Sequence, residues 1–158
     1  MKQAVIMLDG LTKSYGKHRG IENLTYSVLP GEIFGFIGPN GAGKTTTIKC
    51  VVGILPFEKG KILINGIDVL DNPIEVKSIT AYIPDNPDLY ELLTGIQYLN
   101  FISDIYKINV NERKDLIEKY ANMFEINNSL GDLIQSYSHG MKQKLALICA
   151  LIRKPKLL

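Results

Sequence analysis

Gly38-Pro39-Asn40-Gly41-Ala42-Gly43-Lys44-Thr45 is the stretch whose reading decides the fold. It matches G-x-x-x-x-G-K-[ST], and its flanks are those the pattern needs. Upstream, Ile33-Phe34-Gly35-Phe36-Ile37 is nearly all apolar, which predicts a strand covered on both faces. Downstream, Ile48, Val51, Val52 and Leu55 follow i, i+3, i+4, i+7, the stripe of an amphipathic helix. Glycines let the backbone curl until successive N–H groups face inward, and the helix start adds partial positive charge there. The reading is therefore a phosphate loop. Lys44 can reach terminal phosphates, the Thr45 hydroxyl suits Mg²⁺, which prefers hard oxygen ligands, and Thr46 adds a phosphate contact. Kinases, GTPases, motor ATPases and transporter ATPases share such a loop, so it does not name the reaction.

Working outward, strands dominate before Pro84 and helices after it. Leu24, Tyr26 and Val28 alternate with Thr25 and Ser27, a period-2 strand, and Pro30-Gly31 breaks it. Lys61 to Ile64 make a short strand closed by Asn65-Gly66, a tight-turn dipeptide. Leu99, Ile102 and Tyr106 share a face of a helix beginning near Thr94; Ile117, Tyr120, Ala121 and Phe124 mark a second. Met141 to Lys154 is a third, with Leu145, Ile148, Leu151 and Ile152 on its apolar face. The expected organisation is a nucleotide-binding core at 1–85, a helical subdomain at about 86–137, and a final motif and helix at 138–154.

The totals agree with one such domain. The chain has 158 residues, 46% hydrophobic and 22% charged, which is ordinary globular composition. A formal net charge of +2 gives no footing for nucleic acid as a partner. Cys50 and Cys149 are far apart, without metal-ligand spacing, which favours a reduced cytosolic setting. The start shows no signal-peptide pattern, and no run approaches the roughly 20 apolar residues of a membrane span. His18, beside Lys17 and Arg19, reads as solvated loop.

A hundred residues past the loop stands Tyr137-Ser138-His139-Gly140-Met141-Lys142-Gln143-Lys144. It resembles the signature sequence of ABC ATPases, Leu-Ser-Gly-Gly-Gln: Ser138 and Gly140 match, His139 replaces the first glycine, and Met141 replaces the glutamine. A Ser-x-Gly just before a long helix leaves N–H groups, a hydroxyl and a dipole end for an anion. It is equally a simple serine N-cap. The resemblance extends collinearly over essentially the whole chain. Leu11 to Gly16 is similar to the family's aromatic loop, which implies that Tyr15 stacks on adenine. Thr80-Ala81-Tyr82-Ile83-Pro84-Asp85 is similar to the strand leading into the glutamine loop, with Asp85 where the family has glutamine. Asp85 is then a candidate ligand of Mg²⁺ or the attacking water, or else Asp85-Asn86-Pro87 is only a turn.

The resemblance implies an α/β P-loop NTPase of the ABC type, with antiparallel N-terminal strands, an incomplete core sheet and a helical subdomain. It implies ATP and Mg²⁺ as ligands, with Ser138, His139, Gly140 and Met141 contacting ATP held by a second ATP-binding subunit, in a homo- or heterodimer. It further implies a separate membrane permease, a cytoplasmic site on the inner membrane face, and, from the signature variant, export. Relatives continue into a strand ending in an aspartate and then a glutamate, whereas this sequence stops at Leu158. The expectation is therefore an ATPase parent and a fragment that binds nucleotide without turnover. It also expects an open edge around Ile33 to Ile37, a Met141–Lys154 helix short of partners, and either self-association or a non-family arrangement of the tail. Rival readings are a soluble P-loop enzyme such as a nucleotide kinase, which leaves Ser138 to Lys144 without a purpose, and a non-transport ABC ATPase. The latter usually carries two cassettes or long coiled-coil inserts.

Overall fold

The computed structural model describes residues 3–16 and 18–158, apart from the side chains of His18 and Arg19. Lys17 and those two side chains lie outside the described residues; the backbone of His18 opens a strand rather than lying in a loop. The fold is α/β and divides into two compact units, Met1–Ala81 with Leu157 and Tyr82–Lys156 with Leu158.

The first unit is built on a four-stranded antiparallel sheet in the order β2-β1-β3-β4. Strand β1 is Ile6–Tyr15, β2 His18–Val28, β3 Lys59–Ile64 and β4 Ile67–Asp68. The alternation read in β2 holds, with Val28 buried and Thr25 and Ser27 exposed. Asn65 and Gly66 both have positive φ, 52° and 82°, and join β3 to β4 tightly. Two positive φ values in succession match the right-handed twist of paired strands, which is why Asn-Gly occurs there. Helix α1, Lys44–Val51, buries Thr47, Cys50 and Val51. It packs with the sheet's Leu8, Leu11, Ile62 and Ile64 in one core. It is shorter than the expected stripe: Ile48 is exposed, Leu55 lies beyond its end, and Gly53 at φ 71° turns the chain away. Helix α2, Pro73–Ile79, contributes only Val76 to this core.

The strand expected at Ile33–Ile37 belongs to no sheet. Pro30-Gly31 makes the tight turn, with Gly31 at φ 84° and Glu32 N–H donating to Leu29 carbonyl at 3.3 Å. Beyond it, residues 33–37 make no backbone hydrogen bond to any described strand. Phe34 stacks on Tyr26 of β2 at 5.0 Å and Phe36 lies 5.8 Å from the same ring, while Ile33 and Ile37 are 103% and 96% exposed. Among the described residues its rings pack on Tyr26 in place of strand pairing. A strand apolar on both sides needs a neighbour along each edge, and here it has neither. Similarly, Thr80 forms only an isolated parallel bridge to Leu157 where a strand to Asp85 was expected.

The second unit is helical: α3 Gly95–Ile105, α4 Val110–Met123 and α5 His139–Leu151, with 3-10 turns at Asn127–Ser129 and Ile134–Ser136. Thr94 starts α3 through a capping box, its hydroxyl accepting from Gln97 N–H while Gln97 Oε1 accepts from Thr94 N–H. Helix α4 ends with Glu125 at φ 57° and Ile126 N–H donating to Ala121 carbonyl at 3.0 Å, the Schellman pattern made by a residue that bears a side chain. Leu99, Ile117, Ile134, Leu145 and Ile148 form the core. Helix α5 packs against α3 and α4, and Leu145 and Ile148 are both 0% exposed. Gly95 is required here, because a Cβ would lie 2.3 Å from the Tyr137 hydroxyl, which donates to Ser129 carbonyl.

Burial pushes the thiols of Cys50 and Cys149 up, that of Cys149 to about 12. Neither is a thiolate at neutral pH, so nucleophilic cysteine chemistry has no group to use. Among the described residues no helix is long and apolar enough to cross a membrane.

Candidate functional site

The loop between Gly38 and Lys44 owes its shape to two left-handed glycines, Gly41 and Gly43, each at φ 83°. At Gly43 the requirement is double. A Cβ there would lie 2.2 Å from the carbonyl oxygen of Gly20, so only glycine lets the loop approach β2 this closely. Gly43 is the N-cap of α1 and supplies no side-chain cap. Its carbonyl instead accepts from Thr47 N–H at 2.8 Å and from the Thr47 hydroxyl at 2.9 Å. Thr47 is 1% exposed and anchors the first turn. Sequence reading singled out Thr45 and Thr46 and passed over this third threonine, whose signal is only its i+4 position from Gly43.

The first three N–H groups of a helix have no partner within it. Those of Lys44, Thr45 and Thr46 receive none from a cap either, and the N–H groups of Gly41 and Gly43 also make no hydrogen bond. Five donors stay open beside the positive end of α1. Lys44 Nζ donates to the carbonyls of Gly38 and Pro39, at 2.6 and 2.7 Å, and Ala42 N–H to Pro39 carbonyl at 3.2 Å. The ammonium is thus tied across the loop's own mouth. Thr45 is exposed with its hydroxyl unengaged, Thr46 is partly buried, and Asn40 is exposed.

Tyr15 ends β1, is 48% exposed, and its hydroxyl lies 3.5 Å from Thr46 Oγ1. Glu58 holds this strand end, accepting from Lys13 Nζ at 3.2 Å and from Ser14 N–H at 2.8 Å. Lys13 Nζ also sits 5.4 Å from the Tyr15 ring centroid. Tyr15 and the loop from Gly38 to Thr46 therefore come together in the first unit.

Ser138, His139, Gly140, Met141 and Asp85 come together in the second unit. Ser138 is the N-cap of α5, and its hydroxyl accepts from Met141 N–H at 3.3 Å. The serine is a cap, yet it leaves the N–H groups of His139 and Gly140 without partners, and Ser138, His139 and Gly140 are all exposed. Asp85 is exposed, and its carbonyl accepts from Gln143 Nε2 at 3.3 Å. Its carboxylate makes no hydrogen bond or ion pair, and no cluster of three or more His, Cys, Asp or Glu among the described residues could hold a metal. The donors present, an open hydroxyl at Thr45 beside unpaired N–H groups, fit a magnesium ion delivered with phosphate oxygens rather than a protein-caged one.

A sheet unit with a glycine loop at a helix start, and a helical unit whose last helix begins at Ser-x-Gly, are the parts expected of a P-loop ATPase domain. The ABC transporter family model matches residues 21–158, and the chain belongs to that family. It is 33% identical over 156 residues to an uncharacterized ABC transporter ATP-binding protein, YhcH of Bacillus subtilis (strain 168), covering 99% of this chain and 50% of that protein. It is 34% identical over 149 residues to the SkfA peptide export ATP-binding protein SkfE of the same organism, covering 94% of this chain and 62% of that one. A solved structure of an ATP-binding subunit of an ABC transporter superposes with a TM-score of 0.89 at 33% identity, over 96% of this chain and 63% of that chain. The chain thus spans about half to two thirds of the length of the relatives it matches.

Proposed function

We propose that this chain is the nucleotide-gripping part of an ABC transporter's ATP-binding component. The observation that carries the reading is the set of five open N–H groups at Gly41, Gly43, Lys44, Thr45 and Thr46, beside an ammonium held at the loop's mouth. A triphosphate's oxygens suit all five, and Lys44 then neutralises the terminal charge. Tyr15 offers a face to adenine close to Thr46. Magnesium, when bound with nucleotide, offsets phosphate charge, and Thr45 would hold it. The open N–H groups of His139 and Gly140, with Ser138 and Met141, serve as the contact for ATP held by a second ATP-binding subunit. Division of labour follows: residues 1–85 grip, about 86–137 relay, and 138–154 present the second contact.

In the assembled transporter, ATP binding would close two such subunits and drive a separate permease from the cytoplasmic face. Export is supported by the Tyr137–Gln143 variant and by the name of the relative SkfE. Hydrolysis also requires an oriented water and a completed metal site. Among the described residues of the first unit no carboxylate bonds to Lys44, Thr45 or Thr46, so the 158-residue chain alone is expected to bind Mg-ATP without turnover. Calorimetric titration and a phosphate-release assay on the purified chain test both halves. No heat of binding to magnesium nucleotides sinks the grip, and family-level hydrolysis sinks the idle state.

A further inference from the structure

One amide in the second unit joins two of the residues singled out above. Gln143 Nε2 lies 3.3 Å from the carbonyl oxygen of Asp85 and 3.0 Å from His139 Nε2. The carbonyl fixes the amide's orientation, because only the NH₂ end can face an acceptor. That nitrogen bears two protons, one for each neighbour. His139 Nε2 must then accept, so its ring carries its proton on Nδ1.

His139 and Gln143 stand one turn apart on α5, the spacing at which side chains on a helix meet. His139 is also the first residue after the Ser138 cap, where the two open N–H groups lie. Asp85 is exposed in a stretch without regular structure, from Pro84 to Asp88, and its carboxylate has no partner to hold it. Among the described residues, the Gln143 amide is the hydrogen bond that fastens the Asp85 backbone.

We infer that Gln143 is a positioning residue: its amide grips the His139 ring and the Asp85 carbonyl together, setting how the Ser138–Gly140 turn stands against the Asp85 loop. This rests on reading that turn as a phosphate-facing contact. An anion arriving at the turn draws on the His139 and Gly140 N–H groups, and the displacement passes through the amide to Asp85. The link depends on donors, not on side-chain volume.

NMR of the full chain at mildly alkaline pH tests it. The ¹⁵N and ¹³C shifts of His139 are expected to report a proton on Nδ1, against the Nε2–H form preferred by a free imidazole. Gln143→Glu, which has the same shape and no donor, inverts that tautomer and shifts the Asp85 carbonyl ¹³C resonance. Gln143→Leu shifts the same carbonyl, whereas Gln143→Arg, which keeps donors, retains the wild-type shift. An Nε2–H histidine in the unaltered chain overturns the inference without any variant. So does an Asp85 carbonyl that moves equally in the Leu and Arg variants. Mg-ATP titration of the unaltered chain reads the phosphate loop separately, so failure of the grip and failure of the link are distinct results.

Discussion

The turns at Gly38–Thr46 and Ser138–Met141 both leave N–H groups open at a helix start, and they do so by opposite means. In the first, backbone conformation makes the nest: two glycines at φ 83°, no side-chain cap, and five free donors with a lysine across them. In the second, a serine side chain satisfies one donor, two remain, and Gly140 needs no left-handed φ. The first gathers five open donors and an ammonium in one loop. The second offers fewer donors, those of His139 and Gly140.

Breaking the first turn should cost most. Lys44→Ala removes a cation whose charge-assisted bonds to phosphate are worth about 3 kcal/mol, so Mg-ATP affinity should fall about 100-fold by calorimetry. A loss below tenfold would erase the contrast between the turns. Gly43→Ala forces a side chain into left-handed backbone and against the Gly20 carbonyl, and should cost about 2–3 kcal/mol in urea unfolding. Gly140→Ala would bring its Cβ no closer than 4.0 Å to the Ser138 hydroxyl in a helical position, and should be neutral or stabilising by about 0.5 kcal/mol. Equal costs at the two glycines would end the distinction. Ser138→Ala should remove a cap worth about 1 kcal/mol, visible as a lower unfolding midpoint.

A pH series tests the helical unit separately. Burial raises Cys149, on α5, from 9.0 to about 12, and Tyr98, on α3, from 10.0 to about 12. Unfolded, both groups ionise earlier than they do folded, so their contribution to stability is complete below about pH 9 and lost progressively up to about pH 12. Urea midpoints measured across that range should decline. A flat profile would show that these groups ionise as freely in the folded chain as in the unfolded one.

Much of this was readable in the residues, because the features are local. Asn65-Gly66 sets its own dihedrals, the Gly38–Thr45 loop carries its glycines, and the stripe of Leu99 and Ile102 needs only helical spacing. Other features depended on what surrounds them. Ile33–Ile37 has the composition of a doubly covered strand, but pairing is supplied by neighbours that no local pattern guarantees. Helix α1 ends at Val51 because Gly53 takes a positive φ, which overrides the apolar spacing running on to Leu55. Helix α2 is seven residues long and buries one side chain, too little for a periodic signal. The bridge from Gln143 to Asp85 spans 58 residues, and sequence spacing cannot announce it.

The loosely attached run from Ile33 to Ile37 also has a consequence for handling the molecule. Endoproteases clasp substrates in extended form and hydrogen-bond to their bare main chain, and this run already offers both. A nick there would cut the tether between β2 and the Gly38–Thr45 loop while leaving each tertiary core intact. Digestion time-courses of this chain should therefore lose nucleotide affinity well before they lose helix signal.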